Sequence, residues 1–150
     1  GLAPCQGKWD QRGFTLPWPK VWRSVWKPRV PPKWNDLFYL FLHRGITTGT
    51  KAHRLGLRSP PLECDLCHCP ESLHHLFLSC VLAKAVWQWD PEISLAKILQ
   101  PGLQSAGWQV RHRASLWTIW TERCSRVYGG EPFSAEQAAA KGALLFSLYD

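Results

Sequence analysis

The stretch CDLCHCPESLHHLFLSC, residues 64–80, decides how the rest of this chain is interpreted. Within it, Cys64, Cys67, His75 and Cys80 follow the spacing C-x2-C-x7-H-x4-C, which offers three thiolates and one imidazole. Three Cys and one His form one of the ligand sets of closed, tetrahedral structural zinc sites. The spacing therefore predicts that zinc is the cofactor and that these four residues are its ligands.

Two other interpretations of the cysteines stay open. Disulfide pairing is conceivable because the chain has six Cys, an even number. Against it, no charged-then-apolar signal is visible near the N-terminus, and His75 stands where a fourth metal ligand is expected. A redox C-x-x-C pair is disfavoured because Cys64 does not follow a buried strand at the start of a helix. We expect an intracellular protein, nuclear or cytoplasmic.

Further donors lie inside or outside the same stretch. The adjacent imidazoles of His74 and His75 leave the ligand ambiguous by one position, and His68 is also close in sequence. Cys69 is interpreted as a free thiol or as a group just outside the metal's ligands. The two remaining cysteines are expected to be ordinary small core or surface residues: Cys5 and Cys124.

Composition predicts one globular unit. The chain has 150 residues, of which 45% are hydrophobic and 19% are charged, as in a folded protein. It begins Gly-Leu-Ala and has no Met, which suggests a piece of a longer polyprotein. We expect an irregular arm over residues 1–16 and a single helical zinc-binding domain over 17–150. Within that domain, residues 60–90 form the zinc core and residues 91–150 form C-terminal helices.

Positive charge is concentrated in the first part of the chain. The formal net charge is +7, and residues 1–60 carry eleven Lys and Arg against only two acidic residues. A basic surface beside a metal-bound knob suits contact with a phosphate backbone, although a merely solvated basic surface is equally compatible. The candidate nucleic-acid-binding residues are Lys27, Arg29, Lys33, Arg44, Lys51, Arg54 and Arg58.

The first predicted helix carries a tryptophan stripe. Trp18, Trp22 and Trp26 recur at four-residue steps, so an amphipathic helix is expected from about Pro19. Such a stripe is more often buried in the core. Because Lys and Arg are interleaved with it, the aromatic rings could instead stack on bases while the cations neutralise phosphates.

Further helices follow, and none of the chain shows the alternation typical of a strand. A second helix is predicted to begin at Asn35 or Asp36 and to run to Gly45, with a third capped by Thr47 or Thr48. One helix is predicted from residues 70–72 to residue 89, and others over 91–100, 108–128 and 134–148, the last with a capping box. The predicted fold is therefore all-α: a compact array of about five to seven helices with one zinc knuckle.

Several motifs together resemble the zinc-binding region of non-LTR retrotransposon reverse transcriptases. Members of that family typically show C-P-x-C-G, then E-S/T-x-x-H-L-F-x-x-C-P, then a V-W pair. The matching positions here are Cys64, Cys67, Glu71-Ser72, His75-Leu76-Phe77, Cys80 and Val86-Trp87. The resemblance favours His75 over His74 as the ligand. Asp65, His68 and Val81 depart from the pattern, and none of the three is a ligand.

The resemblance extends over about residues 20–130. Residues 120–128 are similar to a W-x-E-R-N-x-x-x-F segment that often follows the zinc region, with Cys124 in place of Asn. Upstream, the lead-in is similar around Val21-Trp22, Val30-Pro31-Pro32 and His53-Arg54-Leu55-Gly56. The resemblance implies a C-terminal accessory module of a retroelement protein that holds RNA or target DNA near the polymerase.

The residues do not predict an enzyme. Polymerase chemistry needs clustered carboxylates to hold two metal ions, but the chain has no Asp-Asp pair and its eleven acidic residues are scattered. A catalytic zinc is disfavoured because four ligands leave no position for water. We expect nucleic acid, RNA or DNA, as the partner, with the polymerase body of a parent polyprotein as another. No membrane or small-molecule partner is indicated. The alternative is a structural or protein-interaction zinc module without nucleic-acid contact.

Overall fold

The computed structural model describes residues 3–150, and in this part of the chain regular structure is helical. A short π-helical turn at His75–Ser79 precedes the fifth α-helix, and two 3-10 turns lie at Trp87–Trp89 and Pro101–Leu103. The α-helices are α1 Pro4–Asp10, α2 Trp18–Ser24, α3 Pro32–Leu42, α4 Gly49–Arg54, α5 Val81–Val86, α6 Leu95–Leu99, α7 Ala106–Val127 and α8 Ala135–Tyr149. The all-α prediction is confirmed.

Helix α7 is the axis on which the other long helices pack. It contacts α3 and α8, and α5 packs against both α7 and α8. Phe38 of α3 meets His112 of α7 edge to face, with ring centroids 4.9 Å apart. Phe41 meets Phe77 of the π-helical turn in the same way at 5.2 Å. One continuous apolar core therefore joins residues 64–80, the zinc segment, to the helical array. Within residues 3–150, no helix has the length and apolar character needed to cross a membrane.

The N-terminal segment corrects the prediction of an irregular arm over residues 1–16. Residues 4–10 form α1, and the Trp9 side chain is completely buried. Its Nε1 donates a hydrogen bond of 2.8 Å to the carbonyl of Leu42, at the end of α3. A Trp among Gly, Pro and polar residues has no periodicity to reveal a helix, yet burial of its large apolar surface, together with Cys5 and Gln6, fixes the two turns of α1 against the rest of the chain. Gly1 and Leu2 lie outside the described residues.

Helix α3 begins at Pro32, three or four residues before the predicted cap at Asn35 or Asp36, and ends at Leu42, before the predicted end at Gly45. Pro32 occupies its first turn, where a missing N–H costs nothing. The expected cap, Asn35, is buried inside the helix and serves a tertiary purpose. Its Nδ2 donates to the carbonyl of Pro28 at 3.2 Å, and its Oδ1 accepts from Arg113 Nε at 2.9 Å. A partner distant in sequence therefore decides the role of this side chain.

The single helix predicted from residues 70–72 to 89 is also wrong. The backbone leaves helical geometry at Cys80, with φ −58° and ψ 142°, and α5 begins afresh at Val81. Other termini agree with the sequence. Thr48 accepts a hydrogen bond from the Lys51 N–H at the start of α4, and the capping box of Ser134 and Gln137 opens α8.

Candidate zinc centre

The four predicted ligands converge in space. The ligand atoms of Cys64, Cys67, His75 and Cys80 all lie within 4.8 Å of one another. Cys80 Sγ is 4.0 Å from Cys64 Sγ and 3.9 Å from Cys67 Sγ. Two sulfurs that bind one tetrahedral zinc ion at about 2.3 Å stand about 3.8 Å apart. Both the donor set and its spacing therefore fit a closed zinc site.

A short hairpin brings Cys64 and Cys67 together. The Cys64 N–H donates to the Cys69 carbonyl at 2.9 Å, and the His68 N–H donates to the Cys64 carbonyl at 2.8 Å. His68 adopts a left-handed φ of 56°, a conformation that favours Gly, which is the residue that the family pattern carries here. The turn over residues 64–69, the zinc knuckle, is therefore kept although His68 stands in place of Gly.

The π-helical turn and the break at Cys80 supply the other two ligands. The Ser72 hydroxyl accepts a hydrogen bond from the His75 N–H at 2.9 Å, which starts the turn. The Cys80 N–H reaches the His75 carbonyl at 2.8 Å, the wide i to i+5 spacing that π turns provide. His74 points elsewhere, because its exposed Nδ1 contacts the Ser79 hydroxyl at 2.8 Å. Of the two adjacent imidazoles, the structure therefore brings His75 into the cluster.

Protonation of the cluster is coupled to metal binding, because its cysteines must lose their protons to bind zinc. Burial, assisted by neighbouring Cys64 and Cys67, raises the pKa of Cys80 to about 12 when no ion compensates the charge. A divalent ion reverses this preference, since it stabilises each thiolate directly. Burial lowers the pKa of His75, so its imidazole is held in the neutral form that binds metals.

A buried ion pair anchors the zinc segment to α7. Arg123 donates from its Nε to Glu71 Oε2 at 3.1 Å and from its Nη2 to Glu71 Oε1 at 2.6 Å. Arg123 also donates to the Thr47 carbonyl at 3.1 Å. Glu71 Oε1 accepts from the Gly49 N–H at 2.9 Å, and the Glu71 carbonyl accepts from the Thr50 N–H at 3.0 Å. The zinc segment is therefore tied to the first turn of α4 as well as to α7.

A second ion pair joins the zinc segment to α7. Arg126 Nε donates to Asp65 Oδ1 at 2.8 Å, and Arg126 also pairs with the buried Glu122 on its own helix. Asp65 occupies the position where the family pattern has Pro. The substitution therefore adds a contact between the knuckle tip and α7. The sequence had marked Glu71, Glu122 and Arg123 as motif positions, but nothing in it showed which residues pair.

The predicted nucleic-acid-binding residues do not share one site. Arg44, Lys51 and Arg54 line a groove of about 670 Å³ between α1, α4 and residues 72–74. Lys27 lines a separate, smaller depression beside α2, and the Lys33 ammonium sits 5.0 Å from the centroid of a ring on α7, that of Trp117. Exposed residues outside both linings are Arg29 and Arg58. Sequence reasoning missed two further cations that line the groove: Lys8 and Arg12.

The groove concentrates positive charge. Arg44, Lys51, Arg54, Lys8 and Arg12 all line it, and no Asp or Glu is among its lining residues in the described part of the chain. Burial, with Arg12 and Arg54 nearby, lowers the pKa of Arg44. Burial, with Lys8, Arg54 and Arg44 nearby, lowers the pKa of Lys51. These cations repel one another, and an anion in the groove would relieve that repulsion.

Two contacts of Arg44 hold part of the groove in shape. The Arg44 guanidinium lies over the ring of Trp9, 4.7 Å from its centroid, and Lys51 Nζ donates to the Arg44 carbonyl at 2.9 Å. Helix α1 thus supplies both a wall of the groove and the surface on which Arg44 rests. A sequence search for basic residues alone misses this wall, because only the packing of Trp9 places Lys8 and Arg12 there.

An all-α fold built around a closed Cys3His cluster defines a small structural zinc-binding module. The family described as zinc-binding in reverse transcriptase matches residues 8–87, and the chain belongs to that family. The family is an accessory zinc-binding region and not the catalytic domain of a reverse transcriptase. No curated protein and no solved structure matches the chain.

Proposed function

We propose that this chain is a zinc-stabilised nucleic-acid-binding accessory module of a retrotransposon reverse transcriptase. The observation that carries the proposal is the groove lined by five Lys and Arg side chains, with no carboxylate in its lining among residues 3–150. Phosphate contacts supply most of the affinity of sequence-independent nucleic-acid binding. The family membership adds a reason to expect RNA or DNA as the anion.

The zinc segment has a definite part in this proposal. When bound, the ion would neutralise the buried thiolates of Cys64 and Cys80 and the half-buried thiolate of Cys67, and would cross-link the knuckle to the π-helical turn. Glu71, which lies between these two pieces, holds the backbone N–H groups of Gly49 and Thr50. Those N–H groups open α4, the helix that carries Lys51 and Arg54. Ordering the metal site therefore orders one basic wall of the groove.

Salt-dependent binding to RNA and duplex DNA tests the proposal. Affinity should fall steeply between about 50 and 200 mM salt, because each phosphate contact releases a counterion. The double variant Lys51→Gln/Arg54→Gln should bind more weakly, with a salt slope reduced by about 2. The matched control is Arg58→Gln, an exposed Arg outside the groove, which should change binding less. Binding that is unaffected by the double variant would refute the proposed site.

A structural or protein-interaction role is the second candidate, and an exposed aromatic patch favours it. Trp26 is 54% exposed, and its ring centroid lies 5.6 Å from that of Tyr39, which is also exposed. A surface of this kind could dock to the polymerase body. This role predicts that the chain associates with itself, that this association does not depend on salt, and that Trp26→Ala abolishes it. A monodisperse monomer that binds nucleic acid with a steep salt dependence would exclude this role as the main one.

A further inference from the structure

A fifth metal-binding side chain stands against the imidazole of the cluster. Cys69 Sγ lies 3.4 Å from His75 Nδ1 and 3.7 Å from His75 Nε2. Cys69 follows the knuckle turn, and its carbonyl accepts the Cys64 N–H at 2.9 Å, so its backbone is held by the same hairpin that presents the first two ligands. Neither the family pattern nor the C-x2-C-x7-H-x4-C spacing assigns it a role.

We propose that Cys69 is a reserve zinc ligand that can take the position of His75, so that the site holds zinc through either three thiolates and an imidazole or four thiolates. This inference rests on the proposed zinc site. In the exchange, the imidazole nitrogen leaves the ion, the Cys69 thiol gives its proton to solvent, and the resulting thiolate binds. The zinc-loaded site would then be one unit more negative, because a thiolate has replaced a neutral imidazole.

Cys69 Sγ lies as close to the His75 ring as two ligands of one ion lie to each other, so the sulfur is next to the position that the ring would vacate. A nitrogen and a sulfur that bind one tetrahedral zinc ion at about 2.1 and 2.3 Å stand about 3.6 Å apart. The separations of Cys69 Sγ from the two His75 nitrogens, 3.4 and 3.7 Å, bracket that spacing. Cys69 Sγ is not in the set of four ligand atoms that lie within 4.8 Å of one another, so it stands beside the set, next to the imidazole. Removing the ring opens space on the side where the sulfur already lies.

Chemistry supports the second state as well. Four thiolates are themselves a common structural zinc set, and thiolates bind zinc without requiring any change of geometry. Cys69 is half-buried and lies two residues beyond Cys67, outside any helix, so a change of its side-chain rotamer alone could bring the sulfur toward the vacated position. The neighbouring imidazole of His74 offers no such exchange, because it is exposed and engaged with Ser79.

The test compares His75→Ala with Cys69→Ser/His75→Ala in the full chain. Native mass spectrometry counts bound zinc, and cobalt substitution reports the number of thiolates through the intensity of the sulfur-to-cobalt charge-transfer absorption. We expect His75→Ala to keep one ion with a stronger charge-transfer band than the parent protein. The double variant should bind zinc more weakly than His75→Ala by more than about 10-fold. Cys69→Ser and His74→Ala alone should each keep one ion.

The outcomes separate this inference from the proposed zinc site. Equal zinc affinity of His75→Ala and the double variant would overturn the reserve-ligand role. If His75→Ala does not fold, His75→Asn repeats the comparison with a larger side chain in the vacated space. If both His75→Ala and His75→Asn lose the metal and the fold, the reserve-ligand role is also overturned, because a reserve ligand should support the metal-bound fold. A parent protein without zinc would instead refute the proposed site itself.

Discussion

Glu71 and Arg123 show how one side-chain pair can connect three parts of the molecule. The two carboxylate oxygens receive a bidentate guanidinium and the Gly49 N–H, all at buried positions. Charge-assisted bidentate bonds of this kind are strong and directional. Because each partner is costly to bury alone, the pair acts as a constraint on geometry more than as a net source of stability.

The first prediction concerns this pair. Arg123→Ala should lower the free energy of unfolding by about 3–5 kcal/mol, because it leaves the Glu71 carboxylate buried without its cation. The neutral double variant Glu71→Gln/Arg123→Met should lose less, since the Gln oxygen can still accept from Gly49. Urea unfolding of zinc-loaded protein measures both values. A larger loss in the double variant would show that the ion pair is net stabilising.

Asp90 carries the second residue-scale prediction. Burial opposes its ionisation, but hydrogen bonds from Lys97 Nζ at 2.7 Å and Trp108 Nε1 at 2.9 Å outweigh burial and lower the pKa of Asp90. A carboxyl whose folded pKa lies below its unfolded value stabilises the fold above that unfolded pKa, about 3.9, and loses this contribution as pH falls through the folded pKa.

Asp90→Asn should therefore be less stable than the parent protein at neutral pH. The difference in the free energy of unfolding should shrink as pH falls below about 4, where the parent carboxyl becomes protonated in the unfolded chain and then in the folded one. Parallel denaturant titrations across this pH range measure the difference. A difference that does not change with pH would contradict the inferred direction of the pKa shift.

Replacing Gly by Ala should have opposite effects on stability at two helical positions, Gly142 and Gly49. A Cβ at Gly142 of α8 would meet Thr118 Oγ1 and Val86 Cγ1 at 3.6 Å, which is ordinary contact. A Cβ at Gly49, the first residue of α4, would meet the Leu62 carbonyl oxygen at 2.6 Å, and this backbone leads into Cys64. There is therefore room for a Cβ at Gly142, and there is none at Gly49.

Gly142→Ala should stabilise the protein by up to about 1 kcal/mol, because Gly is a poor residue in a helix interior. Gly49→Ala should destabilise it, since the backbone before Cys64 must move, and should also weaken zinc binding. Thermal unfolding measures the first effect, and competition with a zinc chelator measures the second. Normal zinc affinity in Gly49→Ala would show that this backbone yields without disturbing the ligands.

At the scale of the whole molecule, the zinc segment is a cross-link on a helical core. Helices α3 and α8 each pack against α7, and Leu76, Phe77, Cys64 and Cys80 of the zinc segment belong to the same apolar core. The chain is long enough to bury a core without help from a metal. The ion should therefore order one region while the helices persist.

Removing zinc with a chelator should leave most of the helical circular dichroism signal. Hydrogen exchange should accelerate over residues 62–80 and in the first turn of α4, because Glu71 no longer holds a fixed position. Nucleic-acid affinity should also decline when α4 loses its order, since Lys51 and Arg54 lie on that helix. Complete loss of helical signal on chelation would show instead that the metal is required for the whole fold.

The sequence alone determined the family, the helical class and the four clustered side chains. These features are local: the ligands lie within seventeen consecutive residues, and the caps of α4 and α8 act within one turn. Spacing therefore predicts them well, because few backbone conformations are compatible with such short connections.

Only the tertiary structure decided which residues pair and which surface is basic. Glu71 meets Arg123 across 52 positions, and Arg113 meets Asn35 across 78. The groove depends on the burial of Trp9, which brings the cations of α1 beside those of α4. Such contacts are selected by the packing of distant segments, whose complementarity of shape and charge leaves no periodic trace in the chain.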